Sequence, residues 1–165
     1  MLAQQIAKKY SRAIFELVKE NNQIDQAWEQ FNSFGEYLKK DDTFVDFMTA
    51  PQVNDENKRA LIKSVFESRL EKPFYNFIMV LVQKRRIKYL GEIIESLDVL
   101  IREHKKLAKV ICISSSKITD VERRRLINKL EQKTSMKVEL IEKVDDKMIG
   151  GIKVLLNMPS VIKSC

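Results

Sequence analysis

The spacing of apolar residues along the chain changes once, near Leu107. Before this point apolar side chains recur every three or four residues, which is the period of an amphipathic α-helix. After it, the segment Leu107–Ser114 (LAKVICIS) alternates and is rich in β-branched residues, as strands are. The change of period predicts a mainly α protein, in which a six-helix bundle over residues 1–105 is followed by a small α+β domain over residues 106–165.

Short polar breaks divide the helical part into six segments. Asn54 is a candidate N-cap for the fourth, and Pro73 suits the first turn of the fifth. The predicted helices are Leu2–Glu20, Asn22–Leu38, a short one capped by Asp41 or Asp42 and ending at Met48, one beginning at Asn54, one from Pro73 to about Lys84, and one from about Ile87 to His104. Six helices joined by short turns are typical of a single bundle.

Two of these helices carry more apolar surface than one neighbour can cover. In Leu2–Glu20 the apolar positions span an arc of about 160° at about 100° per residue, and Phe15 is predicted to lie alone on the far side. An ordinary surface helix needs an apolar stripe of about 100°. The fifth helix is apolar nearly all round, because Met79, Val80 and Val82 lie outside its main stripe. Each helix therefore has two neighbours, or one neighbour and an open groove for a partner.

The last third of the chain shows the elements of a small α+β domain. Thr119 and Glu122 have the spacing of a capping box, which predicts a helix from there to about Lys133. Two further strands are predicted at Val138–Ile141 and Ile152–Leu156. Before the last strand stands the pair Gly150–Gly151, which indicates positive φ or close backbone approach at a tight strand entry, as in a hairpin or bulge.

No arrangement of residues typical of a catalytic, cofactor or metal site is found. The single histidine, His104, has no second histidine to join it, and Cys112 and Cys165 are not spaced as metal ligands. The adjacent carboxylates fall in predicted turns, and the Lys-Ser/Thr of a P-loop is lacking. No apolar run approaches the roughly 20 residues that span a bilayer, and we expect no signal peptide. These patterns argue against a small enzyme.

The positive charge is concentrated in the last third. Residues 1–106 hold 18 Lys and Arg against 16 Asp and Glu, whereas residues 107–165 hold 12 against 7. The clusters Lys84–Arg86 and Arg123–Arg125 are solvated helix faces or contacts for an acidic partner. A basic RNA-binding module over residues 107–165 is the alternative function, although that segment has no Phe, Tyr or Trp for base stacking.

Four segments, in this order, resemble the delta subunit family of F-type ATP synthases, known in mitochondria as the oligomycin-sensitivity-conferring protein. They are AKKYSRAIFEL (Ala7–Leu17), FMTAPQVNDENKRALI (Phe47–Ile62), FIMVLVQKRRIKYLGEI (Phe77–Ile93) and VDDKMIGGI (Val144–Ile152). The similarity extends from about Ala3 to Leu156.

The resemblance implies a non-catalytic stator subunit without cofactors. In this family the N-terminal domain binds amphipathic helices from the N-termini of the alpha subunits, in a groove between the first and fifth helices. The C-terminal domain meets the b subunits of the peripheral stalk. No nucleic acid is involved, and contact with the cytoplasmic face of the bacterial cell membrane is peripheral and only through the complex. Together with the excess apolar surface, the family pattern predicts a groove lined by Ile6, Tyr10, Ala13, Phe77, Val80 and Lys84.

The last residues depart from the family pattern. Members usually continue past the Gly-Gly strand into another strand and a terminal helix, whereas this chain ends in NMPSVIKSC. We therefore expect an incomplete C-terminal domain that is less stable than the helical one.

Overall fold

The computed structural model describes residues 2–156. The helical elements are α1 (Leu2–Glu20), α2 (Ile24–Lys40), α3 (Thr43–Thr49), α4 (Asp55–Phe66), α5 (Lys72–Gln83), a 3-10 turn (Ile87–Tyr89) and α6 (Leu90–Lys105). They are followed by β1 (Leu107–Ser114), α7 (Asp120–Thr134), β2 (Lys137–Val144) and β3 (Ile152–Leu156). The predicted mainly α fold with a small α+β part is confirmed. The predicted departure from the family pattern concerns the segment NMPSVIKSC, which lies outside the described residues.

The chain forms two compact units, Met1–Ile101 and Arg102–Cys165. We call them the helical unit and the sheet unit. Their division falls within α6, a few residues before the change from helix to strand. The roles assigned from sequence to residues 1–105 and 106–165 stay predictions.

Aromatic rings fill much of the core of the helical unit. Phe31 and Phe74 meet edge to face at 5.5 Å between ring centroids, and Phe34 meets Phe66 at 4.9 Å. Phe74 is fully buried. Such pairs contribute about 0.5–1.5 kcal/mol beyond the area that they bury. All six helices contribute to this one core cluster, which holds α1 and α5 in place.

Hydrogen bonds join α6 to the first two helices. The hydroxyls of Ser11 and Ser96 lie 2.8 Å apart, and Ser11 is fully buried. Trp28 donates its indole N–H to the carboxylate of Asp98 at 2.6 Å. Trp28 is half-buried against the core. Because buried polar groups are almost always hydrogen-bonded, these bonds help to fix α1 and α2 against α6.

Side chains define several helix ends as predicted. Asn54 accepts a hydrogen bond from the backbone N–H of Asn57 at 2.8 Å and caps α4. The Asp41 carboxylate, rather than that of Asp42, accepts the backbone N–H at the start of α3. Asn22 has φ 56° and lies just beyond α1, so α2 begins at Ile24 and not at Asn22. A left-handed residue is a common way to end a helix.

The expectation for Phe15 is wrong, because this side chain is buried in the core. The buried face of α1 includes Ser11, whose hydroxyl reaches Ser96. The predicted apolar arc did not include Ser11, and Phe15 is only about 40° further around the helix than Ser11. The buried face of α1 is therefore wider than the predicted apolar arc, because it includes Ser11 and Phe15.

The sheet has the order β2-β1-β3, with β2 parallel and β3 antiparallel to the central β1. Residues of β1 alternate between buried and half-buried. The buried set includes Ala108 and Val110, which pack with Leu130 of α7 and Val154 of β3. A helix that joins two parallel strands in this way forms a βαβ unit.

The hairpin interpretation of the glycine pair is wrong. Since β2 and β3 are on opposite sides of β1, the segment between them crosses the end of β1. The backbone N–H of Asp145 donates to the carbonyl of Ser114 at 2.8 Å at this crossing. Gly150 and Gly151 have φ 65° and 79°, so the predicted positive φ at a strand entry is confirmed.

The basic cluster at the start of α7 is compensated at Arg123. Its guanidinium binds the Glu142 carboxylate, at 2.7 Å through Nε, and also the Asp120 carboxylate. The hydrogen bond to Glu142, and to a lesser extent the one to Asp120, raises the pKa of Arg123. The predicted capping box of Thr119 and Glu122 is confirmed. A cation near a helix N-terminus is thereby offset by nearby carboxylates.

Candidate functional site

The α1–α5 groove is the surface between these two helices, which pack against each other in the helical unit. Tyr10 of α1 and Phe77 of α5 meet edge to face at 6.4 Å between ring centroids. Phe77 also meets Phe31 of α2 at 6.0 Å. The floor of the groove is therefore an aromatic contact that continues into the core.

On α1, exposed apolar side chains lie beside the buried face. At about 100° per residue, Leu2, Ala13 and Leu17 lie within about 80° of Tyr10, on the side away from the core residue Ile14. Leu2 is 63% exposed and Leu17 40% exposed, and Ala13 is exposed as well. This side of α1 is apolar without being covered by the described residues.

On α5, the arrangement is similar. Phe74, Ile78 and Leu81 are buried, whereas Val80 is 38% exposed. At about 100° per residue, Val80 lies about 60° from Phe77 on the side away from these core residues. An exposed apolar edge of α5 thus runs beside the half-buried Phe77.

The end of α5 places a cation next to the groove floor. Arg85 has φ 58°, and the backbone N–H of Arg86 donates to the carbonyl of Leu81 at 2.8 Å. These are features of a Schellman motif, which reverses the chain at a helix end. The guanidinium of Arg86 then lies 5.7 Å from the centroid of the Tyr10 ring. Such a cation–π contact contributes about 0.5–1 kcal/mol at a partly exposed site and fixes the ring.

The structure brings some of the predicted groove residues together. Tyr10 and Phe77 are in contact, and Ala13 and Val80 are exposed one turn further along their helices. Lys84 is exposed at the C-cap of α5. Ile6 is buried and offers little free surface. Binding by these residues stays a prediction.

Sequence reading left Leu2 and Leu17 out of the site. Both belong to the apolar arc of the first helix, so the same helical spacing that selected Ala13 had already included them. Their exposure, which only the folded chain reveals, adds them to the candidate surface.

Apart from the groove, a cavity of about 840 Å³ opens between α2, α3 and α4. The sequence did not predict it, because the cavity depends on how three helices pack together and not on a pattern within any one of them. Most of its apolar lining is aromatic: Phe34, Tyr37, Phe44, Phe47 and Phe66. Gln30 and Arg69 are among the polar residues at its walls.

Within residues 2–156, no group of three or more His, Cys, Asp or Glu side chains is placed to hold a metal ion. No helix in this range is long and apolar enough to cross a membrane. What the α1–α5 groove offers is apolar surface with cations at one end, which suits an amphipathic helix.

Comparison with known proteins identifies the family. Residues 6–158 match the family model described as ATP synthase delta (OSCP) subunit. The chain belongs to the ATP synthase delta (OSCP) family. The chloroplastic delta subunit of Galdieria sulphuraria is 31% identical over 148 residues, which are 89% of this chain and 84% of the relative. The delta subunit of Acetivibrio thermocellus is 30% identical over 154 residues, covering 92% and 85%.

A solved structure shares the fold of this delta-family chain. It is a chain in the cryo-EM structure of the Toxoplasma gondii mitochondrial ATP synthase hexamer, with a TM-score of 0.78. The match covers 96% of this chain and 88% of the other, at 18% identity. At that identity the likeness shows the fold alone.

Proposed function

We propose that this delta-family chain is a stator subunit that links the alpha subunits of the catalytic head to the b subunits of the peripheral stalk. The helical unit binds alpha N-terminal helices, and the sheet unit faces the stalk. The protein contributes binding surface and no reacting group to ATP synthesis and proton transport. Its place is peripheral, at the cytoplasmic face of the bacterial cell membrane, through the complex.

The observation that carries this proposal is the exposed apolar surface along both sides of the Tyr10–Phe77 contact. The core residues of α1 and α5 are already buried, so Leu17 and Val80 are not needed to fill the core of the helical unit. An amphipathic helix laid between them covers both edges at once. Each large apolar side chain that it buries contributes about 1.5–3 kcal/mol before the costs of association.

The first test is the variant Ala13→Asp, with binding of an alpha N-terminal peptide measured by calorimetry. The added carboxylate lies on the exposed apolar edge and would lose water on binding, so we expect affinity to fall by at least about tenfold, or about 1.4 kcal/mol. Gln5→Asp is the matched control, because Gln5 is an exposed α1 residue about 80° away from Ala13 and the variant adds the same charge. Equal binding by both folded variants would refute the groove.

The second test concerns the role in the complex. Complexes reconstituted without the protein should hydrolyse ATP at the catalytic head but lose proton-coupled ATP synthesis, because nothing then holds the head against the rotor. Adding back the wild-type protein should restore coupling, and adding back Ala13→Asp should restore it only at higher protein concentration. Full coupling in its absence would contradict the stator role.

A further inference from the structure

The basic cluster that follows α5 divides its charges between two surfaces. The guanidinium of Arg85 lies 3.8 Å from the carboxylate of Asp55 on α4. The guanidinium of Arg86 lies instead over the ring of Tyr10, and Lys84 is exposed at the C-cap of α5. The positive φ of Arg85 turns the chain between these two neighbours. One cation is thus paired within the helical unit, and two remain beside the α1–α5 groove.

Within residues 2–156, no Asp or Glu side chain forms an ion pair with Arg86 or Lys84. Arg86 is nevertheless half-buried. Taking a guanidinium partly out of water without an opposite charge costs free energy, and the face of one ring offsets only part of that cost. An acidic side chain of a partner bound in the groove would supply the missing opposite charge.

The opposite sign of charge is found further along α1. The exposed apolar edge of this helix is centred on Ala13, and at about 100° per residue Glu16 and Glu20 lie about 60° and 20° from it. Both glutamates are exposed. At 1.5 Å per residue they lie about 9 and 15 Å beyond Tyr10, towards the C-terminal end of α1. The edge of the groove therefore changes from cationic to acidic along α1.

Neighbouring charges keep this order of signs. Lys9 lies about 40° from Ala13, beside Tyr10, and adds to the cationic part. At the start of α5, Glu71 and Lys72 balance each other. The other cations of α1 are at least about 100° from Ala13 around the helix: Lys8, Arg12 and Lys19. The change of sign therefore holds when the charges that adjoin the groove are included.

We propose that Arg86 and Lys84 bind an acidic side chain in the first turns of an alpha N-terminal helix, so that this helix lies parallel to α1. Basic side chains in its later turns then lie opposite Glu16 and Glu20. Acids stabilise the start of a helix and bases its end, so this order of charges is the favourable one within the partner helix as well. The inference rests on the proposed function and deepens it by fixing the direction of the bound helix.

Apolar contact alone does not set this direction. The aromatic floor formed by Tyr10 and Phe77 can be covered by an amphipathic helix that runs either way. In the reverse direction, the basic last turn of the helix would face Arg86 and its acidic first turn would face Glu20. Like charges placed together in an interface suppress that arrangement, whereas opposite charges fix the register of the other.

The first test reads the direction from paramagnetic relaxation. The full chain, labelled with nitrogen-15, binds a peptide with the N-terminal sequence of the alpha subunit from the same organism's ATP synthase. A nitroxide at the first residue of the peptide should broaden the amide signals of Lys84–Arg86 more than those of Glu16–Glu20. A nitroxide at its last residue should do the opposite. The reverse pattern, or equal broadening at both places, would overturn the proposed direction.

The second test separates a contact of Arg86 with the partner from its contact with Tyr10. We expect Arg86→Gln to weaken peptide binding about threefold to fivefold, with a smaller loss at high salt. Arg12→Gln is the matched control, because Arg12 is exposed on α1 about 160° from Tyr10 and the variant removes the same charge. A peptide whose first acidic residues are replaced by glutamine should bind the wild type more weakly and lose nothing further with Arg86→Gln.

The outcomes distinguish this inference from the stator proposal. If Arg86→Gln weakens both peptides equally, Arg86 only holds the ring of Tyr10 and does not bind the partner. If the peptide binds the groove in the reverse direction, this inference fails and the stator role stands. If the wild type does not bind the peptide, both fail. An amide spectrum that matches the wild type away from the substituted residue shows that each variant is folded.

Discussion

The two units of this chain bury their apolar residues on very different scales. In the helical unit, six helices share one cluster that includes the rings of Phe31, Phe34 and Phe74. In the described part of the sheet unit, the buried cluster consists of Ala108, Val110, Leu130 and Val154. Residues 107–165 contain no aromatic residue at all.

The difference matters for how each unit responds to change. Stability grows with the apolar area that a unit removes from water, so a small aliphatic core has little reserve. The helical unit can leave Leu17 and Val80 exposed and still have a large core. The sheet unit depends on each of its few buried residues.

Each unit carries a natural probe for this comparison. Trp28, the only tryptophan of the chain, is in the helical unit, so its fluorescence follows that unit. Cys112 is buried in the sheet unit, where burial, with a smaller contribution from Glu142, raises the pKa of its thiol. A buried protonated thiol is alkylated only when its surroundings open. Replacing Cys165 with serine leaves Cys112 as the single thiol.

The largest expected effect is that of Phe74→Ala. Removing this fully buried ring leaves a cavity beside Phe31 and should destabilise the helical unit by about 3–5 kcal/mol. The midpoint of urea unfolding, followed by Trp28 fluorescence, should shift to a lower urea concentration. The alkylation rate of Cys112 in the absence of urea should change little. Equal effects on both probes would show that the units unfold together.

The next largest is Leu130→Ala in the sheet unit. We expect a loss of about 2–4 kcal/mol, because Leu130 is the buried residue by which α7 meets the sheet. The alkylation rate of Cys112 should rise steeply, and the Trp28 transition should stay in place. An unchanged alkylation rate would mean that α7 contributes little to the protection of the sheet.

Hydrogen exchange compares the units without substitution. Amides of Ile93–Leu97 in α6 should be at least about tenfold better protected than those of Val110–Ile113 in β1, which is about 1.4 kcal/mol in the opening free energy. Both segments are internal parts of regular elements, so the comparison reports core size rather than fraying. Comparable protection would contradict the lower stability expected for the sheet unit.

The smallest effects come from two glycines, and their signs should differ. Gly150→Ala should destabilise the sheet unit by about 1 kcal/mol, because its φ of 65° is strained for a residue with a Cβ. Gly91→Ala should stabilise the helical unit by about 0.5 kcal/mol, because Gly91 is helical and a Cβ there meets no atom within 4 Å. Thermal unfolding, followed by Cys112 alkylation for the sheet unit and by Trp28 fluorescence for the helical unit, measures the two changes in stability.

Much of the fold was predictable because its signals are local. The bounds of α1, β1 and β3 agree with those read from periodicity, and the caps at Asn54 and Thr119 form as their spacing predicts. Helix period, strand alternation and capping each depend on residues within a few positions of one another. The family was likewise recognised from the order and spacing of four segments, and the match to residues 6–158 confirms the family.

Only the tertiary structure decided the features that depend on distant contacts. It buried Ser11 against Ser96 and Phe15 in the core, and it placed Arg86 over the ring of Tyr10. It also set the strand order that puts Val144 and Ile152 on either side of Ser114. The sequence by itself determined which elements form and in what order, because those signals lie within each segment. Which faces stay open was decided by how segments far apart in the chain pack together, and no local pattern records that.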